Sequence, residues 1–154
     1  MNLIAWSQNM TPEAAKAAGA LLVSKDQLFE RADILTIHLV LSSRTRGLVG
    51  AAELERMKPT ARLINASRGP IVEEQALISV LKNKQIAGAA IDVFEIEPLP
   101  PDHPFRTLDN VLATPHIGYV SHGLYNTFYE DTVSNIRKWL DAHQNSAGTG
   151  ENNA

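Results

Sequence analysis

Arg62-Leu-Ile-Asn-Ala66 runs straight into Ser67-Arg68-Gly69-Pro70, an apolar segment followed at once by a polar turn. A short apolar run ending in Gly and Pro reads as a buried strand of a parallel sheet. In an open α/β sheet, ligands gather where loops diverge at the carboxyl ends of strands. An arginine at that point presents five donors in a planar fork, matched to a small carboxylate. Gly69 permits close backbone approach beside it. Two more polar residues hold similar strand-end positions: Glu97 in Asp92-Val-Phe-Glu-Ile-Glu97-Pro98, and His116 in Ala113-Thr-Pro-His116-Ile-Gly118. Together they make an anion clamp beside an acid/base pair, which is enzyme chemistry.

Outward from this stretch, apolar runs alternate with amphipathic ones, as parallel strands joined by helices do. Leu3–Trp6 is a first strand, and Thr11-Pro12 supplies an N-cap and a proline at the start of a short helix, Glu13–Ala18, closed by Gly19. Ala20–Val23 is a brief strand, and Ser24 with Gln27 has the spacing of a capping box for a helix through Arg31. Asp33–Leu39 is nearly all apolar, so it is expected to be covered on both faces. Ala51–Met57 reads as a helix, and Glu73–Asn83 places Ala76, Leu77, Val80 and Leu81 on one face of another. Gly88–Val93 and Asn110–Ala113 are further strands. The longest helix is expected from Tyr119 or Ser121 to Ala142, with apolar residues from Leu124 to Leu140 that suggest more than one buried face. An Asn/Gly/Ser-rich tail, 144–154, is expected to be disordered.

The 154 residues suit one domain with a feasible core. A net charge of −3 without a basic cluster gives no nucleic-acid footprint and no attraction to anionic lipid. Apolar runs fall short of the roughly 18 residues a membrane span needs, and no secretory signal is visible. The absence of cysteine excludes a disulfide scaffold and fits a cytoplasmic protein. No His, Asp or Glu spacing resembles a metal site.

Four segments in order resemble the D-isomer-specific 2-hydroxyacid dehydrogenases, the phosphoglycerate dehydrogenase-like family. They are His38-Leu-Val-Leu with Thr45-Arg46-Gly47-Leu48, Asn65-Ala-Ser-Arg68-Gly69, Gly88-Ala-Ala-Ile-Asp92-Val-Phe-Glu-Ile-Glu97-Pro98, and Thr114-Pro115-His116-Ile117-Gly118. The likeness runs from about Asn2 to Leu140. It implies a Rossmann-like, doubly wound parallel sheet that is incomplete. None of the nine glycines forms a G-x-G-x-x-G turn, and the chain opens on what reads as the second strand of the unit. The implied organisation is a partial dinucleotide-binding domain over 1–119, then a helix over 120–143 that in the family crosses to a substrate domain.

The resemblance implies an NAD(P)-dependent oxidoreductase that interconverts a 2-keto acid and a D-2-hydroxy acid. NAD is the expected cofactor and a homodimer the expected assembly, without nucleic acid, membrane or metal. By carry-over, Arg68 grips the substrate carboxylate and keto oxygen, and His116 is the general acid and base. Glu97 orients the imidazole and favours its charged form. Glu97, rather than Glu95, holds the family's Glu-Pro position. Asp92 ends an apolar strand, where a carboxylate is costly unless paired, and is expected near the nicotinamide carboxamide. Ala66, His38, Arg68, His116 and Gly118 complete the nicotinamide side, although a satisfied core histidine also explains His38. Ser7 stands where many such folds place an acid for the adenosine ribose. A serine would not repel a 2′-phosphate, so NADP is admitted. His103, His122 and His143 have no matching role. The contrasting reading is a non-catalytic remnant or interaction module that retains the fold.

Overall fold

The computed structural model describes residues 1–147, with side chains described through residue 143. It divides into a unit from Met1 to Gly118 and a second beginning at Tyr119. In the first, β1 (Ile4–Ala5) is followed by α1 (Pro12–Ala17), β2 (Leu21–Leu22), α2 (Lys25–Arg31) and β3 (Ile34–Ile37). Then come α3 (Ala51–Leu54), β4 (Arg62–Asn65), α4 (Glu74–Lys82), β5 (Gly88–Ile91) and β6 (Val111–Ala113). The strands form two parallel sheets, β1-β2 and β3-β4-β5-β6. In the larger sheet, Leu35 pairs with Leu63, Leu63 with Ala89, and Ala89 with Val111, so the carboxyl ends line up on one side. This is the Rossmann-like α/β arrangement expected.

Local signals start the helices. The Thr11 hydroxyl accepts from the Ala14 amide, with Pro12 opening α1. Ser24 and Gln27 form the reciprocal capping box of α2. In α4, Leu77, Ile78, Val80 and Leu81 are buried, and they join Leu63, Ile71 and Ile86 in the core. Among the described residues, no helix is long and apolar enough to cross a membrane.

Two expectations for this unit are revised. The strand around Ile34–Ile37 is not covered on both faces: Leu35 and Ile37 are buried, whereas Ile34 and Thr36 are exposed. The larger sheet therefore packs one face against the core while Ile34 and Leu112 lie open. The helix expected over Ala51–Met57 stops at Leu54 and continues as turns closed by the Arg56 and Met57 amides. Lys58-Pro59 prevents its extension, because a residue before proline is pushed out of the helical region.

The second unit contains α5 (His122–Ala147). The helix continues past the point where the sequence suggested a disordered tail, and the rest of that expected tail, 148–154, lies outside the described residues. The apolar residues expected to be buried, from Leu124 through Phe128, Val133, Ile136 and Trp139 to Leu140, are 41–58% exposed.

Candidate active site

Strand β4 ends at Asn65, buried with both ends of its amide engaged: its Nδ2 donates to the Arg68 carbonyl at 3.0 Å and its Oδ1 accepts from the Ser67 amide at 3.1 Å. The Ser67 hydroxyl donates to the Leu39 carbonyl at 2.5 Å, tying this turn to the loop after β3. These bonds hold Ala66 and Arg68 outward, both exposed. A methyl added at Gly69 would stand 2.2 Å from the Phe94 carbonyl, so only glycine lets this turn lie against the loop after β5.

Strand β5 leads into Asp92, which is 7% exposed yet paired on every side the fold offers. Its carboxylate accepts from the Thr114 hydroxyl at 2.5 Å, the Ile117 amide at 2.9 Å and the Gly118 amide at 2.8 Å. Burial works to raise its pKa, but the hydroxyl, the two amides and the nearby His116 charge outweigh it. The group is held below the ordinary carboxylate value. Asp92 therefore shapes the loop after β6. Within that loop His116 adopts a left-handed backbone with φ of 55°. Such a conformation costs a non-glycine residue about 1–3 kcal/mol and persists only where neighbours over-determine it. The bonds from Thr114, Ile117 and Gly118 to one carboxylate supply that constraint.

The strain aims the imidazole at Glu97. His116 Nδ1 donates to Glu97 Oε2 at 2.8 Å, and Glu97 Oε1 accepts from the Phe94 amide at 2.9 Å. Burial pushes the Glu97 pKa up, but the His116 hydrogen bond, the Phe94 amide and the charges of His116 and Arg68 bring it below the ordinary value. Glu97 thus favours its ionised form, with the imidazole of His116 on one oxygen and the Phe94 amide on the other. Beside it, Phe94, Leu99, Phe105, Leu112, Glu97 and His116 contribute to a cleft of about 760 Å³.

The remaining expected residues divide. A Cβ on Gly118 would lie 3.0 Å from Asp92 Oδ2 and 3.9 Å from the Ala66 Cβ, so Ala66, Asp92 and Gly118 converge at the strand ends. His38 is exposed and its Nε2 lies 3.0 Å from the Thr36 hydroxyl, which removes the core-histidine reading. Ser7 is half-buried after β1, on the separate two-stranded sheet, where its carbonyl accepts from the Met10 amide. Glu95 pairs with Arg46 at 3.3 Å, away from the histidine. His103 accepts from the Phe105 amide and meets Glu74 at 3.1 Å, bracing the loop between β5 and β6. His143 meets the Trp139 carbonyl at 2.8 Å on α5. No cluster of metal ligands occurs among the described residues.

The sequence reading missed Asn65, Ser67, Thr114 and Arg46. All four stand inside the quoted motifs, and for Asn65 and Ser67 the residue type was a further hint, because a buried Asn and a short hydroxyl residue at a strand end satisfy backbone groups that loops would leave unpaired.

The small residues Ala66 and Gly118 and the buried carboxylate of Asp92 fit the nicotinamide end of a dinucleotide. The pyrophosphate end has no counterpart in these 154 residues, which contain no G-x-G-x-x-G turn.

Residues 1–118 match the family model described as the D-isomer specific 2-hydroxyacid dehydrogenase NAD binding domain. The chain is 46% identical over 124 residues to glyoxylate/hydroxypyruvate reductase B of Enterobacter agglomerans, covering 80% of this chain and 38% of that protein. A phosphoglycerate oxidoreductase structure from Vibrio cholerae O395 superposes with a TM-score of 0.84 at 35% identity, covering 92% of this chain and 46% of that one. A 2-hydroxyacid dehydrogenase from Xanthobacter autotrophicus Py2, solved with NADPH and MES, gives a TM-score of 0.62 at 40% identity over 64% of this chain and 33% of that one. The chain thus spans less than half the length of these relatives.

Proposed function

The chain belongs to the D-isomer-specific 2-hydroxyacid dehydrogenase family through its NAD-binding domain, and from that premise we propose that it serves the interconversion of a 2-keto acid and a D-2-hydroxy acid. The observation that carries the proposal is the His116–Glu97 contact at 2.8 Å, with the Arg68 charge felt at the same carboxylate.

Arg68 binds the substrate carboxylate and leans on the keto oxygen, polarising the carbonyl. His116 keeps Nδ1 on Glu97, so Nε2 is the nitrogen that gives a proton to the keto oxygen and, in reverse, takes it from the hydroxyl. Glu97 stays ionised, fixes the ring and stabilises the imidazolium. Ala66, Asp92, Gly118 and His38 would hold the nicotinamide side of the cofactor, and Ser7 the adenosine ribose. Bound nicotinamide supplies or accepts the hydride. NAD is the default, and the uncharged run Ser7-Gln8-Asn9 admits NADP. A small 2-keto or 2-hydroxy acid is the partner, a homodimer the assembly and the cytoplasm the location.

A chimera tests the site. With these residues replacing the corresponding segment of the Enterobacter agglomerans reductase, Arg68→Lys should lower kcat/KM for hydroxypyruvate by about 100-fold, a loss of the order expected when a transition-state hydrogen-bond donor is removed. NADH affinity should stay within about threefold, since the fork serves the keto acid. An unchanged kcat/KM would reject the assignment.

Two observations favour a second reading, in which the 154 residues keep the fold without turnover: β1-β2 and β3-β6 are separate sheets, and no glycine-rich phosphate turn occurs. Calorimetric titration of the 154 residues with NADH should therefore show weak or undetectable binding, and a glyoxylate assay negligible turnover. Micromolar binding with turnover would refute this reading.

A further inference from the structure

Three loops meet by their backbones at the mouth of the site. The Gly47 amide donates to the Pro70 carbonyl at 2.9 Å. Gly69 lies so close to the loop after β5 that an added methyl would stand 2.2 Å from the Phe94 carbonyl and 2.7 Å from the Glu95 nitrogen. Arg46, Arg68 and Glu95 are therefore neighbours, although far apart in sequence. Two exposed carboxylates, Glu95 and Glu97, stand on the loop after β5 that Gly69 abuts, and the Glu97 carboxylate feels the Arg68 charge. Glu97 is engaged by His116 and the Phe94 amide. Glu95 is the competitor, because an arginine beside an unengaged carboxylate takes it.

Yet Glu95 Oε1 sits 3.3 Å from Arg46 Nη1. Arg68 forms no ion pair among the described residues, its Nη1 donating to the Ser67 carbonyl at 2.6 Å. We infer that Arg46 is a positioning residue for substrate binding: it holds Glu95 and thereby keeps the Arg68 fork open to the carboxylate of the keto acid. The inference rests on the Arg68 role proposed above. Both members of the pair are about half exposed, at 59% and 48%. The competition is accordingly modest, about two- to fivefold in an equilibrium.

The test is a double-substitution cycle on the 154-residue chain: wild type, Arg46→Gln, Glu95→Gln and the pair together. The rate of phenylglyoxal modification at Arg68, read by peptide mass spectrometry, reports whether the guanidinium is engaged. Pyruvate titration, followed on the Arg68 and Gly69 amide resonances, reports binding. Arg46→Gln should slow modification and weaken pyruvate binding about two- to fivefold, as Glu95 captures Arg68. Glu95→Gln alone should slow neither. The double variant should return to wild type, which a merely structural role for Arg46 would not produce. An unchanged modification rate in Arg46→Gln, or no recovery in the double variant, overturns the inference. Pyruvate shifts that persist in Arg68→Gln overturn the Arg68 role instead. In that event, and where wild type shows none, the modification rates alone are decisive for the competition.

Discussion

The sheet β3–β6 and the pair β1–β2 are both parallel, but they are built to different standards. The larger sheet has ladders of three or four residues, and the largest fully buried side chains, Leu54, Leu63, Ile71, Leu81, Ile86 and Val93, all come from its segment of the chain. The smaller has two-residue ladders whose residues are mostly half-buried. Arg68, Glu97 and His116 all extend from the larger sheet, whereas only Ser7 follows the smaller. Acid/base chemistry needs atoms held within tenths of an ångström, and the proposed site extends from the sheet with the more fully buried core.

Core truncation should separate the two regions most sharply. Leu63→Ala, at a position with 0% exposure on a central strand, should cost about 2–5 kcal/mol. Denaturant unfolding reads it directly. A loss below about 1 kcal/mol would mean that the larger sheet is no better packed than the smaller.

Next comes the Asp92 anchor. Asp92→Asn removes the charge and one acceptor from a buried cluster, and should cost about 1–3 kcal/mol. It should also flatten the acid limb of stability. Both Asp92 and Glu97 titrate below their ordinary values of 3.8 and 4.5 in the folded protein. Their contribution is therefore complete above those values and is lost as pH falls through the lowered ones. Thermal midpoints from pH 7 to pH 2 should fall in wild type and fall less in Asp92→Asn. Parallel curves would remove Asp92 from the linkage.

The smallest effect belongs to β1. Ile4→Ala, half-buried in a two-residue ladder, should cost about 1 kcal/mol or less by the same unfolding measurement. A cost matching Leu63→Ala would erase the distinction between the sheets.

The sequence made the succession of strands and helices and the helix caps legible because those signals are local: Thr11-Pro12, the Ser24–Gln27 box and the apolar runs. It made Arg68, Glu97 and His116 legible because each sits at a strand end inside a motif. What it hid depends on contacts between distant segments. Ser67 reaches Leu39 across 28 positions, Thr114 reaches Asp92 across 22, and Arg46 reaches Glu95 across 49. Nothing near any of them names its partner. The open face of β3 was hidden for a different reason. Ile34 and Ile37 look alike in sequence, and only the packed sheet distinguishes the exposed one from the buried one. Resemblance marks Asp92 as a cofactor residue, while its three hydrogen bonds to the His116 loop emerge only from the fold.

The claim that joins these observations is that the Glu97-braced imidazole of His116 moves the proton. Its most direct test is the pH dependence of kcat/KM for hydroxypyruvate in the chimera described above, with and without His116→Gln. Removing a positioned acid should lower kcat/KM by about 10²–10⁴-fold and abolish the decline in rate as the imidazolium deprotonates, with NADH affinity near normal. A variant that retains both the rate and the pH profile of its parent would contradict the account.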